Sequence, residues 1–202
     1  KDVIAITIGE PDFKTPWHIR EAGIDSLKKG RTWYTANAGL IELREEASKY
    51  LKRRFNLDYK PSDIFITVGG SEAIDGFFRS VVAIGDEVII PAPYWVSYPE
   101  MVKIADGVPV IIETKEEDDF KFTAEQFKNA ITPKTRAIVL NSPSNPTGMV
   151  YTREELQKIA EICVEKDIFV ISDEIYEKLC YTGVKPFSIA KCSEKMKDLT
   201  IT

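Results

Sequence analysis

Four short stretches of the chain carry residues whose types and spacing suit a bound ligand. In Thr67-Val-Gly-Gly-Ser-Glu-Ala73, two glycines let the backbone turn sharply and approach a ligand closely. A helix N-terminus follows, with free N–H groups, a positive dipole end and the Ser71 hydroxyl, which is a phosphate cradle in outline. The same residues also suit an ordinary tight turn with a serine cap. In Pro91-Ala-Pro-Tyr-Trp-Val-Ser-Tyr98, prolines stiffen a loop from which Trp95 either offers a flat face to an aromatic ligand or packs beneath as core. Asn141-Ser-Pro-Ser-Asn-Pro-Thr-Gly148 is a rigid loop bearing amide donors. In Ser172-Asp-Glu-Ile-Tyr176, Asp173 is costly in a dry setting unless it faces a cation or a ring N–H. Tyr176 stands where it can reach the same ligand; a helix-capping Asp with a packing Tyr fits that stretch too.

Other chemistries are closed off. His18 is the one histidine, so a Cys/His metal cluster, a multi-His site and an H-E-x-x-H protease are excluded. No G-x-S-x-G sequence exists to partner it in a nucleophilic triad. Cys163, Cys180 and Cys192 are odd in number and lack C-x-x-C spacing, which argues against a disulfide framework and for a reduced, cytoplasmic setting. A net charge of −5 leaves no basic excess for a nucleic-acid backbone. No apolar run approaches the roughly 18 residues of a membrane span.

The elements that must hold these stretches alternate in type. Short apolar runs at 64–68, 87–90, 108–112, 137–140, 168–171 and 199–202 read as strands, the second stopped by Pro91 and Pro93. Between them lie helical stripes: Ala73, Ile74, Phe77, Phe78, Val81 and Val82, and later Leu156, Ile159, Ala160 and Cys163. Thr123 and Thr152 each open a capping box, with Gln126 and Glu155 three residues on. Thr15-Pro16 reads as a cap with proline at the first helical position, opening a helix that Gly30 stops. Leu40, Leu43, Ala47 and Leu51 line another helix that ends near Phe55. Strands apolar along their whole length are buried on both faces. The expectation is therefore an α/β three-layer sandwich with a mainly parallel sheet. Residues 16–202 form its large domain, and 1–15 an interdomain or small-domain segment. In such folds ligands bind beyond the carboxyl ends of the strands, where all four stretches fall.

A flat, cationic, phosphorylated heterocycle satisfies the four together. The order of motifs resembles the fold-type I, class I/II aminotransferases of the aspartate aminotransferase superfamily. The resemblance rests on Gly9-Glu-Pro-Asp12, Tyr34 with Ala38-Gly39 and Leu43-Arg44-Glu45, Gly69-Gly70-Ser71, Gly85-Asp-Glu-Val88, Pro93-Tyr-Trp-Val-Ser-Tyr98 and the Asn141 and Ser172 stretches. It implies pyridoxal 5′-phosphate as cofactor, with Gly70, Ser71 and Glu72 on the phosphate and Trp95 stacked on the ring. It implies Asn145 and Tyr176 on the ring's phenolic oxygen and Asp173 on the pyridine nitrogen. Tyr34 would reach the phosphate of a neighbouring subunit in a homodimer, and Gly9 the substrate carboxylate. The implied reaction moves an amino group between an L-amino acid, aspartate or a related one, and a 2-oxo acid, as part of amino-acid biosynthesis. Glu72 stands where some aspartate-specific relatives carry a lysine, which weakens a dicarboxylate reading.

The family's Schiff-base lysine follows the aspartate by about thirty residues, which falls just beyond Thr202. Lys191, Lys195 and Lys197 read as charged helix or loop residues, so no catalytic residue is assigned within the chain. The arginine that clamps the substrate carboxylate has no counterpart either. The chain is thus expected to be a fragment, inactive by itself. The alternatives are another reaction on the same cofactor, such as a C–S β-lyase or synthase, or a non-catalytic ligand-binding domain.

Overall fold

Alternation within short apolar strands sets the architecture. In a computed structural model of the chain, Gly9 and residues 13–181 and 183–202 are described. Most of the 1–15 segment, including Glu10, Pro11 and Asp12 of the first motif, lies outside the described residues. Two compact units form, Lys1–Asn37 and Ala38–Thr202.

The first unit contains helix α1 (Trp17–Lys28). Its start departs from the expected one. Pro16, with φ −49° and ψ 143°, is itself the N-cap, and no side chain caps the helix. An extended ψ at Pro16 moves the proline out of the first turn, leaving its carbonyl to accept from Ile19 and Arg20 N–H at 3.1 and 3.2 Å. Beyond the C-cap Lys29, Gly30 takes φ +67° as a stop glycine should.

The second unit holds β1 (Glu87–Ala92), β2 (Val108–Glu113), β3 (Thr135–Asn141), β4 (Phe169–Asp173) and β5 (Thr200–Ile201) in one all-parallel sheet. Their order is β2-β1-β3-β4-β5. Helices α2 (Ile41–Phe55), α3 (Gly69–Val81), α4 (Ser97–Ile104), α5 (Ala124–Ala130), α6 (Arg153–Lys166) and α7 (Glu194–Asp198) complete the unit. Successive strand residues point to opposite faces. Val88, Ile90, Ala137, Val139 and Ile171 therefore join Ile74 and Phe78 of α3 and Tyr98 and Val102 of α4 in one buried cluster. Ile89, Ile138, Leu140 and Val170 join Phe127 of α5, Leu156, Ile159 and Cys163 of α6 and Met196 of α7 in the other. These are the three layers expected from the sequence. No helix among the described residues is long and apolar enough to cross a membrane.

Both capping boxes form. Gln126 N–H donates to Thr123 Oγ1 at 3.1 Å while Gln126 Oε1 accepts from Thr123 N–H at 2.7 Å. Glu155 and Thr152 exchange the same pair at 3.2 and 2.7 Å. The helix lined by Leu43, Ala47 and Leu51 forms as α2 and ends at Phe55 as expected, with none of its residues fully buried. Two further expectations need correction. Pro91 does not stop β1, which continues to Ala92 opposite β2. The ladder to β3 ends at Ile89, so proline's missing N–H costs nothing on that side. Residues 64–68 join no sheet. Ile64 is extended at φ −112° and ψ 129°, but Phe65 and Val68 are 70% and 89% exposed. A strand needs a neighbour for its N–H and C=O rows, and none of the described strands pairs with this one. Ile66 N–H instead donates to Ala38 O at 3.0 Å. Gly39 makes room for it, since a Cβ there would lie 2.6 Å from Ile66 Cβ.

Removing core volume should cost far more than removing a cap. Ile138→Ala, at a fully buried position, is expected to destabilise the chain by about 2–5 kcal/mol. Thr152→Ala is expected to cost about 1 kcal/mol. Urea denaturation checks both, and the reverse ranking contradicts the packing described.

Candidate functional site

The order of strands reverses at β1. Its successor β2 lies on one side and β3 on the other, and ligands in open α/β sheets bind outside the carboxyl ends at such a point. A cavity of ≈ 220 Å³ lies there. Gly70 and Ser71 from the start of α3, Trp95 beyond β1, Asn145 beyond β3, and Asp173 and Tyr176 at the end of β4 all line it.

Register explains the meeting. β3 and β4 pair so that their last residues, Asn141 and Asp173, are direct partners. Asn141 Nδ2 donates to the Asp173 carbonyl at 3.0 Å, and its Oδ1 accepts from Asn145 N–H at 2.7 Å. Ser142 N–H adds a second donor to Asp173 O at 3.2 Å. One amide side chain thus ties the Asn145 loop to the strand that carries Asp173.

The Asp173 carboxylate is fixed from two directions. Ile175 N–H donates to Oδ1 at 3.2 Å, and the Tyr98 hydroxyl donates to Oδ2 at 2.7 Å. Tyr98 is 2% exposed. Burial, and then the adjacent Asp173 charge, push its phenol well above the usual tyrosine range. Trp95 is half-buried and meets the Tyr98 ring edge-on, with centroids 5.3 Å apart and planes at 83°. Beside Asp173, burial pushes the Glu174 carboxyl up, against the Ser172 hydroxyl that donates to it at 2.7 Å.

At the other side of the cavity, α3 begins at Gly69 with φ +78°. No side chain caps it, and a Cβ built on Gly70 would meet nothing within 4 Å. Open space thus faces N–H groups and a positive helix end, beside the Ser71 hydroxyl. Glu72 is not among the lining residues; its carboxylate accepts from Val68 N–H and closes the preceding turn. Tyr34 and Gly9 belong to the first unit, where both are exposed.

Two polar lining residues escaped assignment from sequence, Tyr98 and Asn141. Each stood inside a motif without a role. The available signals were positional: Tyr98 follows Trp95 by three residues into a helix, and Asn141 is a polar residue closing a strand.

The site pairs a helix-end anion cradle with an aromatic face and a fixed carboxylate, on a parallel-sheet α/β fold. The chain belongs to the aminotransferase class I and II family, whose model matches residues 1–202. It is 55% identical over 200 residues to an aspartate aminotransferase of Bacillus sp. (strain YM-2), covering 99% of this chain and 51% of that protein. It is 48% identical over 182 residues to an aspartate/prephenate aminotransferase of Thermus thermophilus, covering 90% and 47%. The structure of Thermus thermophilus aspartate aminotransferase with maleate superposes with TM-score 0.95 at 45% identity, over 98% of this chain and 51% of that one. An aromatic aminotransferase from Pyrococcus horikoshii superposes with TM-score 0.96 at 43% identity, over 100% and 54%. The chain spans about half the length of the curated relatives it matches.

The Tyr98 phenol has a pH consequence. Native Tyr98 keeps its proton where an unfolded tyrosine loses it, so above pH ~10 the unfolded state binds fewer protons and stability falls as pH rises. Tyr98→Phe should make that fall shallower. Denaturation midpoints of both proteins between pH ~8 and ~11 check this. Equal slopes contradict it.

Proposed function

We propose that the chain carries the cofactor domain of an aminotransferase that uses pyridoxal 5′-phosphate. In a protein of its relatives' length, the reaction passes an amino group between an L-amino acid, aspartate or a related one, and a 2-oxo acid. The observation that supports this most is the shared cavity of Gly70, Ser71, Trp95, Asn145, Asp173 and Tyr176. The donor set suits the cofactor: an anion cradle, a carboxylate and an aromatic plate line one cavity. When bound, pyridoxal phosphate supplies a protonated ring able to accept the electron pair left at Cα.

The chain's own residues would then bind, orient and hold protons. Gly70 and Ser71 would hold the phosphate, with backbone N–H groups and the Ser71 hydroxyl as donors, and the resemblance alone adds Glu72, which does not line the cavity. Trp95 covers one face of the ring. Asp173 pairs with the pyridine nitrogen and holds the proton there, with Tyr98 fixing the carboxylate by its 2.7 Å bond. Asn145 and Tyr176 donate to the phenolic oxygen. Assignment of Tyr34 to a neighbouring subunit's phosphate and of Gly9 to the substrate carboxylate is supported by the sequence resemblance. The same resemblance supports a homodimer and a biosynthetic role, the odd, unspaced cysteines support a reduced cytoplasmic setting, and the strand and helix pattern supports the division into a 1–15 segment and a 16–202 cofactor domain. Among the described residues no lysine lines the cavity. The chain as given would therefore bind the cofactor without covalent capture or turnover. The similarity to aspartate and aromatic aminotransferases favours amino transfer over a lyase or synthase reaction.

Equilibrium dialysis of the chain against pyridoxal phosphate is expected to show saturable binding. Asp173→Ala should weaken it by about 10–100-fold, the worth of a hydrogen bond to a charged group. Unchanged affinity would remove Asp173 from the site. A protein of the relatives' length, loaded with cofactor, is expected to convert aspartate in a single half-reaction. Failure with every common amino acid would sink the transaminase reading.

A further inference from the structure

We propose that Glu177, gripped by Tyr50 and Arg54, is a positioning residue that sets Tyr176 in the cavity. The inference rests on the cofactor reading above. Tyr50 and Arg54 stand one turn apart on α2, so their side chains share a face. The Tyr50 hydroxyl donates to Glu177 Oε1 at 2.5 Å. Arg54 Nε and Nη2 donate to Oε2 at 3.1 and 2.8 Å. Both carboxylate oxygens of Glu177, a residue 9% exposed, are thereby taken. Burial opposes its charge, but the Tyr50 and Arg54 donors prevail and hold it below the usual carboxylate range. Lys178 Nζ lies 5.3 Å from the centre of the Tyr50 ring and flanks the cluster.

Residues 127 and 123 positions apart in the chain are joined this way. No fully buried side chain ties α2 down, so this polar cluster is its firm attachment to the segment after β4. That segment has little freedom. Glu177 N–H donates to Glu174 O at 2.9 Å, Leu179 N–H donates to Tyr176 O at 2.8 Å, and Ile175 N–H bonds Asp173 Oδ1. Tyr176 lines the candidate site, while Glu177 lines an adjoining apolar cavity of ≈ 310 Å³ with Tyr50. A displaced Glu177 carries Tyr176 with it. An ion pair whose Arg54 end is half-exposed adds little stability, so its use here is geometric.

A double-mutant cycle tests this, read as pyridoxal phosphate affinity of the chain by equilibrium dialysis. Glu177→Ala should weaken binding about tenfold and Tyr176→Phe about fivefold, with the double variant also weakened only about tenfold. Glu177→Gln, which keeps the shape and an acceptor, should recover part of the loss. Tyr50→Phe removes one hydroxyl and keeps the ring, which guards against a Glu177→Ala protein that does not fold. Amide hydrogen exchange adds a readout that needs no cofactor. Tyr50→Phe should speed exchange at Glu177 and Leu179 and leave Ile138 and Val170 unchanged. Losses that multiply in the double variant, or unmoved exchange at Glu177 and Leu179, overturn the clamp. A wild-type chain that binds no cofactor overturns the site reading instead, and exchange still decides the clamp.

Discussion

Parallel pairing of β3 with β4 sets Asn141 opposite Asp173, and most of the site hangs on that register. A slip by one residue would turn Ile138 and Leu140 from one buried layer to the other and take Asn141 away from its partner. The register is therefore enforced by the whole core and not by the polar ends. Asn141 then uses both halves of its amide, one on Asp173 O and one on Asn145 N–H. Core packing fixes the sheet, and a single side chain transmits that precision to two loops.

The Asp173 carboxylate is where the layers meet. It leaves the sheet from β4, while its partner Tyr98 rises from α4, in the layer built around Val88, Ile90 and Phe78. Burying a phenol costs free energy unless its hydroxyl is bonded, and Asp173 supplies that bond. The arrangement serves both residues: Tyr98 is satisfied in the core, and the carboxylate is held in one orientation at the cavity. The α3 N-terminus offers the opposite electrostatic sign across the same space, uncapped by any side chain. Glu177 anchors the following turn to α2, so Tyr176 is framed by a strand on one side and a helix on the other.

Much of this was legible in the sequence because local rules and the global fold agree. Short apolar strands at 87–90, 108–112, 137–140 and 168–171 implied a parallel sheet, and both threonine capping boxes lie where their spacing put them. Trp95, Asp173 and Tyr176 were legible as residues just after strands, Gly70 and Ser71 as a glycine turn opening a helix, and Asn145 through the resemblance; all six share a cavity. The misses are tertiary. Residues 64–68 have strand composition, but a strand exists only with a neighbour. Pro91 reads as a stop until one knows that its β3 side is unpaired. Pro16 suits either the N-cap or the first helical position, and only its ψ separates the two. Tyr98, Asn141 and Glu177 act through partners 75, 32 and 127 residues away, which no local spacing reveals.

A crystal structure of the chain grown with pyridoxal 5′-phosphate would test the central claim most directly. The expected density places the phosphate against the Gly70 and Ser71 N–H groups, the ring beside Trp95, and the ring nitrogen within hydrogen-bond distance of Asp173. Cofactor density elsewhere on the chain, or a phosphate turned away from the start of α3, would contradict it.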